Sequence, residues 1–116
     1  MDAIRNGCVL QIFINENDSI SGIPLYKWII EKAHECGILG ATAQRAMMGF
    51  GEKGLLKASR IRTLFKGLPV VIEITDERKN LETFWDAIRG SVHSGLVVLE
   101  EAELETQYLK TEKTSH

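Results

Sequence analysis

The sequence predicts an α+β fold of the ferredoxin-like kind, βαββαβ in order: a four-stranded antiparallel sheet with two helices on one face. Three observations predict it. Residues 9–14 (VLQIFI) and 68–75 (LPVVIEIT) are apolar runs rich in β-branched side chains, the pattern of strands. Behind each run comes a segment whose apolar residues recur at three- and four-residue steps, the pattern of a helix with one buried face. Two further strand-like stretches, 39–48 and 95–104, fill the remaining places, and strand, helix, strand, strand, helix, strand is the split βαβ order.

The first strand ends in turn-forming residues: Asn15, Asn17, Asp18, Ser19 and Ser21. Pro24 then opens a helix, because proline at a first helical position forfeits no hydrogen bond and has its φ already set. Leu25, Trp28, Ile29, Lys32, Ala33 and Cys36 share one helical face, and Gly37 stops the helix. Residues 39–48 carry small side chains interrupted by Thr42, Gln44 and Arg45, and read as the second strand. Residues 49–66 begin with three glycines and lack a clean period, so they read as a long loop or hairpin, mobile without ligand. Pro69 stands at the start of the third strand, where a missing donor is tolerated. Asp76 is a suitable N-cap for the second helix, whose apolar face is Leu81, Phe84, Trp85, Ile88 and Val92. The last strand spans 95–104. This gives one domain over residues 1–105 and a polar tail over 106–116.

Composition narrows the functional classes. The chain has 116 residues and a formal charge of −2, so it has no global basic field for nucleic acid. Two cysteines, Cys8 and Cys36, and an N-terminus without an apolar leader run point to a reduced, cytoplasmic protein rather than a disulfide framework. No apolar run approaches the ~20 residues of a membrane-spanning helix. With both helices on one sheet face, the other face would carry some of Val9, Phe13, Val71 and Val98 uncovered, and oligomerisation is the simplest cover.

Two features carry chemistry. Gly49-Phe50-Gly51-Glu52-Lys53-Gly54 spells G-x-G-x-x-G, with Asp76 22 residues beyond Gly54, which is the spacing of a dinucleotide-binding turn. A parallel sheet would bury Gln44 and Arg45, however, and the chain is too short for a dinucleotide domain with a substrate domain, so loop hinges are the competing reading. Lys53, Lys57, Arg60, Arg62 and Lys66 place five cations in fourteen residues without an acid, either as a solvated loop or as a site for an anion or acidic partner. Only Phe50 and Phe65 offer stacking surfaces there, which makes nucleic acid the weaker partner. His34 and Cys36 are two residues apart on a helix and so diverge, leaving no metal set, and no Ser-His or Cys-His nucleophile pattern is visible.

Gly22-Ile23-Pro24-Leu25-Tyr26, Gly37-Ile38-Leu39-Gly40-Ala41-Thr42, the Gly49 to Gly54 motif and Leu68-Pro69-Val70-Val71-Ile72-Glu73 occur in an order that resembles the domain-of-unknown-function family numbered 190. Its members are similar in fold to PII signalling proteins. The resemblance implies a non-enzymatic regulator: a homotrimer that binds a small effector, often an adenine nucleotide, in clefts between subunits. It also implies that the loop after the second strand contacts a protein target, such as a membrane transporter. Carried onto this chain, the ligand site comprises Arg45, Gly49, Phe50 and Gly51 at the loop base, with Lys53, Gly54, Lys57, Arg60 and Arg62 in its body. The chain departs from PII proteins in having only Ser91-Val92-His93-Ser94-Gly95 where they carry a glycine-rich, lysine-bearing phosphate loop. It also has no tyrosine between Gly49 and Leu68 to be modified. A dinucleotide-binding enzyme and a ligand-free interaction module are the alternatives.

Overall fold

A computed structural model describes residues 2–51, 56–57 and 67–107, with Asp2, Leu56 and Lys57 described by their backbone. In chain order the elements are β1 (Asp2–Ile4), β2 (Gly7–Asn15), β3 (Ser19–Ile20), β4 (Ile23–Pro24), α1 (Leu25–Glu35) and β5 (Gly40–Arg45). They continue with β6 (Met48–Gly49), β7 (Leu56–Lys57), β8 (Pro69–Glu77), α2 (Arg78–Ile88), β9 (Leu96–Glu101) and β10 (Leu104–Thr106). Strands β5, β8, β2 and β9 lie in that order in one sheet, every neighbour antiparallel. This is the ferredoxin-like arrangement, with the two crossover helices α1 and α2 on one face.

Strand alternation sorts the side chains. Cys8, Leu10, Ile12 and Ile14 of β2 and Val70, Ile72 and Ile74 of β8 point to the helices and are buried. Leu25, Ile29 and Ala33 of α1 and Leu81, Phe84 and Ile88 of α2 close over them. Trp28, Trp85 and Val92 are half-buried at the margin of this core. The central β2–β8 pair runs in unbroken register from Gly7 opposite Glu77 to Asn15 opposite Pro69. Pro69 is the first residue of its strand, and its carbonyl accepts the Ala46 N–H at 2.8 Å.

Five local expectations are corrected. Pro24 is the N-cap of α1 rather than its first helical residue, because it pairs with Ser19 in a β3–β4 hairpin. That hairpin turns through Ser21 and Gly22, both at positive φ (49° and 80°), the geometry of a two-residue I′ turn. Cys36 is exposed: α1 ends at Glu35, and the chain leaves through Gly37 at φ 73° with Ile38 N–H on Ala33 O and Gly37 N–H on His34 O, a Schellman stop. Lys32 is only half-buried, with its ammonium 5.7 Å from the Trp28 ring centre and 3.3 Å from Glu35.

Asp76, read as an N-cap, is instead a buried residue of β8, and Glu77 is the cap, without a side-chain capping bond. The Asp76 carboxylate accepts three hydrogen bonds: from Leu39 N–H (3.0 Å), Glu77 N–H (2.6 Å) and the Asn80 amide (2.9 Å). It therefore ties the entry of β5 to the start of α2. The last strand also differs from expectation. It breaks after Glu101, and β10 pairs with β1 in a separate two-stranded ribbon, Ile4 opposite Leu104. The break crosses Gly7, whose carbonyl accepts the Ala102 N–H, and a Cβ on Gly7 would lie 2.6 Å from the Ala102 carbonyl oxygen.

The sheet also removes the dinucleotide-turn reading. Gly49 pairs antiparallel with Leu56 in the β6–β7 hairpin, and β5 runs antiparallel to β8, whereas that motif needs a parallel βαβ unit. Among the described residues, no helix is long and apolar enough to cross a membrane.

Candidate functional site

Among the described residues, both helices pack on one face of the sheet and neither lies on the other. Register places Val9, Gln11 and Phe13 of β2, Val71, Glu73 and Thr75 of β8, and Leu96, Val98 and Glu100 of β9 on it. Gln11 reaches Glu73 across it at 3.2 Å. Apolar residues concentrate at one end, where Val71, Phe13 and Leu96 form a row across three strands. Leu96 is 64% exposed there.

A cleft of about 690 Å³ opens over this row. Phe13, Val71 and Leu96 belong to its lining, together with Met48, Gly49, Phe50 and Gly51 from the start of the loop. Asn15 and Asp18 line it from the turn after β2, and Ser94 and Gly95 from the turn before β9. Asp18 is the one ionisable side chain among the described lining residues. Phe50, 85% exposed, and Met48, 55% exposed, stand at the lip.

The turn beneath the cleft is built by Asn15. Its N–H donates to Asp18 Oδ2 (3.0 Å), its carbonyl accepts the Asp18 N–H (3.0 Å), and its side-chain Oδ1 accepts the Asn17 N–H (2.8 Å). Next to it, Glu16 fastens both ends of the loop. One carboxylate oxygen accepts the Leu68 N–H at 2.8 Å, the other lies 2.8 Å from Arg45 Nε, and the Glu16 N–H donates to the Leu68 carbonyl at 2.8 Å.

Of the residues expected to bind a ligand, the structure brings Gly49, Phe50 and Gly51 to the cleft. Arg45 is elsewhere: it pairs in register with Val70, one residue off Val71, and so projects to the opposite face, where Glu16 holds it. Lys57 is placed by its backbone opposite Met48. Lys53, Gly54, Arg60 and Arg62 lie outside the described residues, as does most of the loop whose mobility the sequence implied. Asn15, Asp18, Glu16 and Ser94 were missed as site residues. The Asn15-Glu16-Asn17-Asp18 run was visible only as turn composition, and nothing in it signalled that its side chains return to the sheet. His34 and His93 are exposed, and no three His, Cys, Asp or Glu side chains are grouped for a metal among the described residues.

Residues 7–104 match the family DUF190, described as Uncharacterized ACR. The chain belongs to the DUF190 family. A UPF0166 protein of Aquifex aeolicus is 40% identical over 96 residues, covering 83% of this chain and 90% of that one. A UPF0166 protein of Methanocaldococcus jannaschii is 29% identical over 92 residues, covering 78% and 84%. Among solved structures, CPII of Thiomonas intermedia K12, a nitrogen regulatory PII-like protein bound to ADP, AMP and bicarbonate, superposes with a TM-score of 0.63. The match covers 86% of this chain and 89% of CPII at 13% identity. This DUF190 member thus has the PII-like, ferredoxin-like fold.

Proposed function

We propose that this protein is a PII-like regulator that works as a cytoplasmic homotrimer, binds a small anionic ligand or nucleotide in the cleft, and meets a protein target through residues 49–66. One observation carries the reading. The cleft has the sheet face away from the helices as its floor and the start of the loop as its lip, so an occupant touches both a surface suited to a neighbouring subunit and the segment suited to a target.

The anion would be met by the backbone of Gly49 and Gly51 and by the cations Lys53, Lys57, Arg60 and Arg62. Among the described residues, nothing lies within 4 Å of a Cβ built at Gly51, so its backbone is open to an approaching ligand. Asp18, an acid, is not a candidate for holding the anion, so we place the ligand's charge on the loop side. The likeness in fold to CPII, which was solved with ADP, AMP and bicarbonate, makes these three the first ligands to test. Calorimetric titration should show saturable binding of at least one of them, with one site per chain. A ligand at 100 times its dissociation constant should add about 2.7 kcal/mol of stability. Neither heat nor thermal stabilisation with any of the three at millimolar concentration would contradict the nucleotide-sensing reading.

A further inference from the structure

Phe50 stands between two glycines, Gly49 and Gly51, at the lip of the cleft, and it is 85% exposed. A large ring left in water forgoes the gain of burial, and here an apolar place lies within the same cleft, where Phe13, Val71 and Leu96 line it from the sheet. The two glycines differ in what accounts for them. Gly49 pairs with Leu56, and a Cβ on it would lie 3.2 Å from the Pro69 ring, so a close approach explains that glycine. Gly51 has no such explanation: its φ lies outside the left-handed region, and among the described residues no atom lies within 4 Å of a Cβ built there. What glycine supplies at this position is freedom to change φ and ψ beside Phe50.

The cleft defines what the ring meets. A volume of about 690 Å³ suits one small molecule. Its floor carries a second aromatic ring, Phe13, and stacked π systems gain more than their buried area alone supplies. We propose that Phe50 is a hinged aromatic lid, which closes on a planar aromatic heterocycle of the ligand and holds it against the row of Phe13, Val71 and Leu96. This deepens the nucleotide reading and rests on it: Phe50 recognises the base rather than the phosphate.

The test uses the full-length protein with AMP or ADP, whichever the wild type binds more tightly. Phe50→Ala should weaken that nucleotide about five- to hundredfold, the scale of one base–aromatic stack. Phe50→Trp, with a larger face, should keep the wild-type affinity, whereas Phe50→Leu, apolar but not planar, should lose most of what Phe50→Ala loses. Binding to the wild type should move the adenine H2 and H8 resonances upfield through the ring current, and Phe50→Ala should reduce that shift. The position is exposed and outside the core, so all three variants should fold, and light scattering should return the wild-type mass. Wild-type affinity in Phe50→Ala or Phe50→Leu would overturn the lid and leave the nucleotide reading standing. A changed oligomer mass in Phe50→Ala would also overturn it, by making Phe50 a contact between subunits. A wild-type protein that binds neither AMP nor ADP would remove both.

Discussion

Replacing Glu16 by alanine should release both ends of the loop, and the structure sets the size of the effect. The Leu68 N–H, on a residue only 7% exposed, loses a charged acceptor at 2.8 Å, a bond worth about 1.5–3 kcal/mol. The Arg45 ion pair adds little, because the arginine side chain is 63% exposed and solvent screens it to roughly 0–1 kcal/mol. Glu16→Ala should therefore cost about 2–3 kcal/mol, and Arg45→Ala less than about 1 kcal/mol. Glu16→Gln, which retains an oxygen for Leu68, should fall between them. Urea unfolding at one protein concentration measures this. With a slope of about 1–3 kcal/mol/M, Glu16→Ala should lower the midpoint by roughly 0.7–3 M. Its Leu68 amide should also exchange faster. Equal losses in Glu16→Ala and Arg45→Ala, with Leu68 exchange unchanged, would refute a clamp that acts through the buried N–H.

Three further outcomes follow from the same geometry. Asp76→Ala strips three donors of one acceptor at a site 4% exposed and should cost about 3–5 kcal/mol in an unfolding titration; a loss under about 1 kcal/mol would mean that water replaces the carboxylate. Gly95 sits at φ 125°, and a Cβ there would lie 2.5 Å from the Phe13 carbonyl oxygen, so Gly95→Ala should lower stability by about 1–3 kcal/mol or more and distort the cleft wall; a neutral effect would contradict the turn geometry. Light scattering should return about three times the 13.0 kDa chain mass, because a neighbouring subunit is needed to cover the Val71, Phe13 and Leu96 row; a stable monomer at micromolar concentration would contradict the subunit-cleft reading.

The sheet and helices were legible because their residues obey one local rule each. Val70, Ile72 and Ile74 are the buried inward positions of a central strand, and Leu81, Phe84 and Ile88 step along one helical face as their spacing demands. Gly37 was readable as a helix stop because a positive φ selects glycine. The errors arise where a residue's role is set by distant chain. Asp76 has the composition of a cap, but Leu39, 37 residues away, claims its carboxylate. The β1–β10 ribbon joins two termini that no local pattern connects. At the cleft, Gly49, Phe50 and Gly51 of the glycine motif belong to the lining, where the motif itself was visible in the sequence. Arg45 was placed with them by the family resemblance, whereas strand alternation turns it to the other face. Asn15 was passed over because a polar residue in a turn is ordinary until its amide proves to be buried and unmatched.

In the proposed regulator, occupancy of the cleft is communicated to the loop. Amide hydrogen exchange across residues 46–51 and 56–57, with and without saturating AMP or ADP, tests it most directly, since the lip of the cleft and the β6–β7 hairpin are the same chain segment. Slower exchange across both stretches in the ligand-bound protein, with the strand at 70–74 unchanged, is the predicted result. Identical exchange at full occupancy would show that the cleft binds without informing the loop, and would contradict the regulator account.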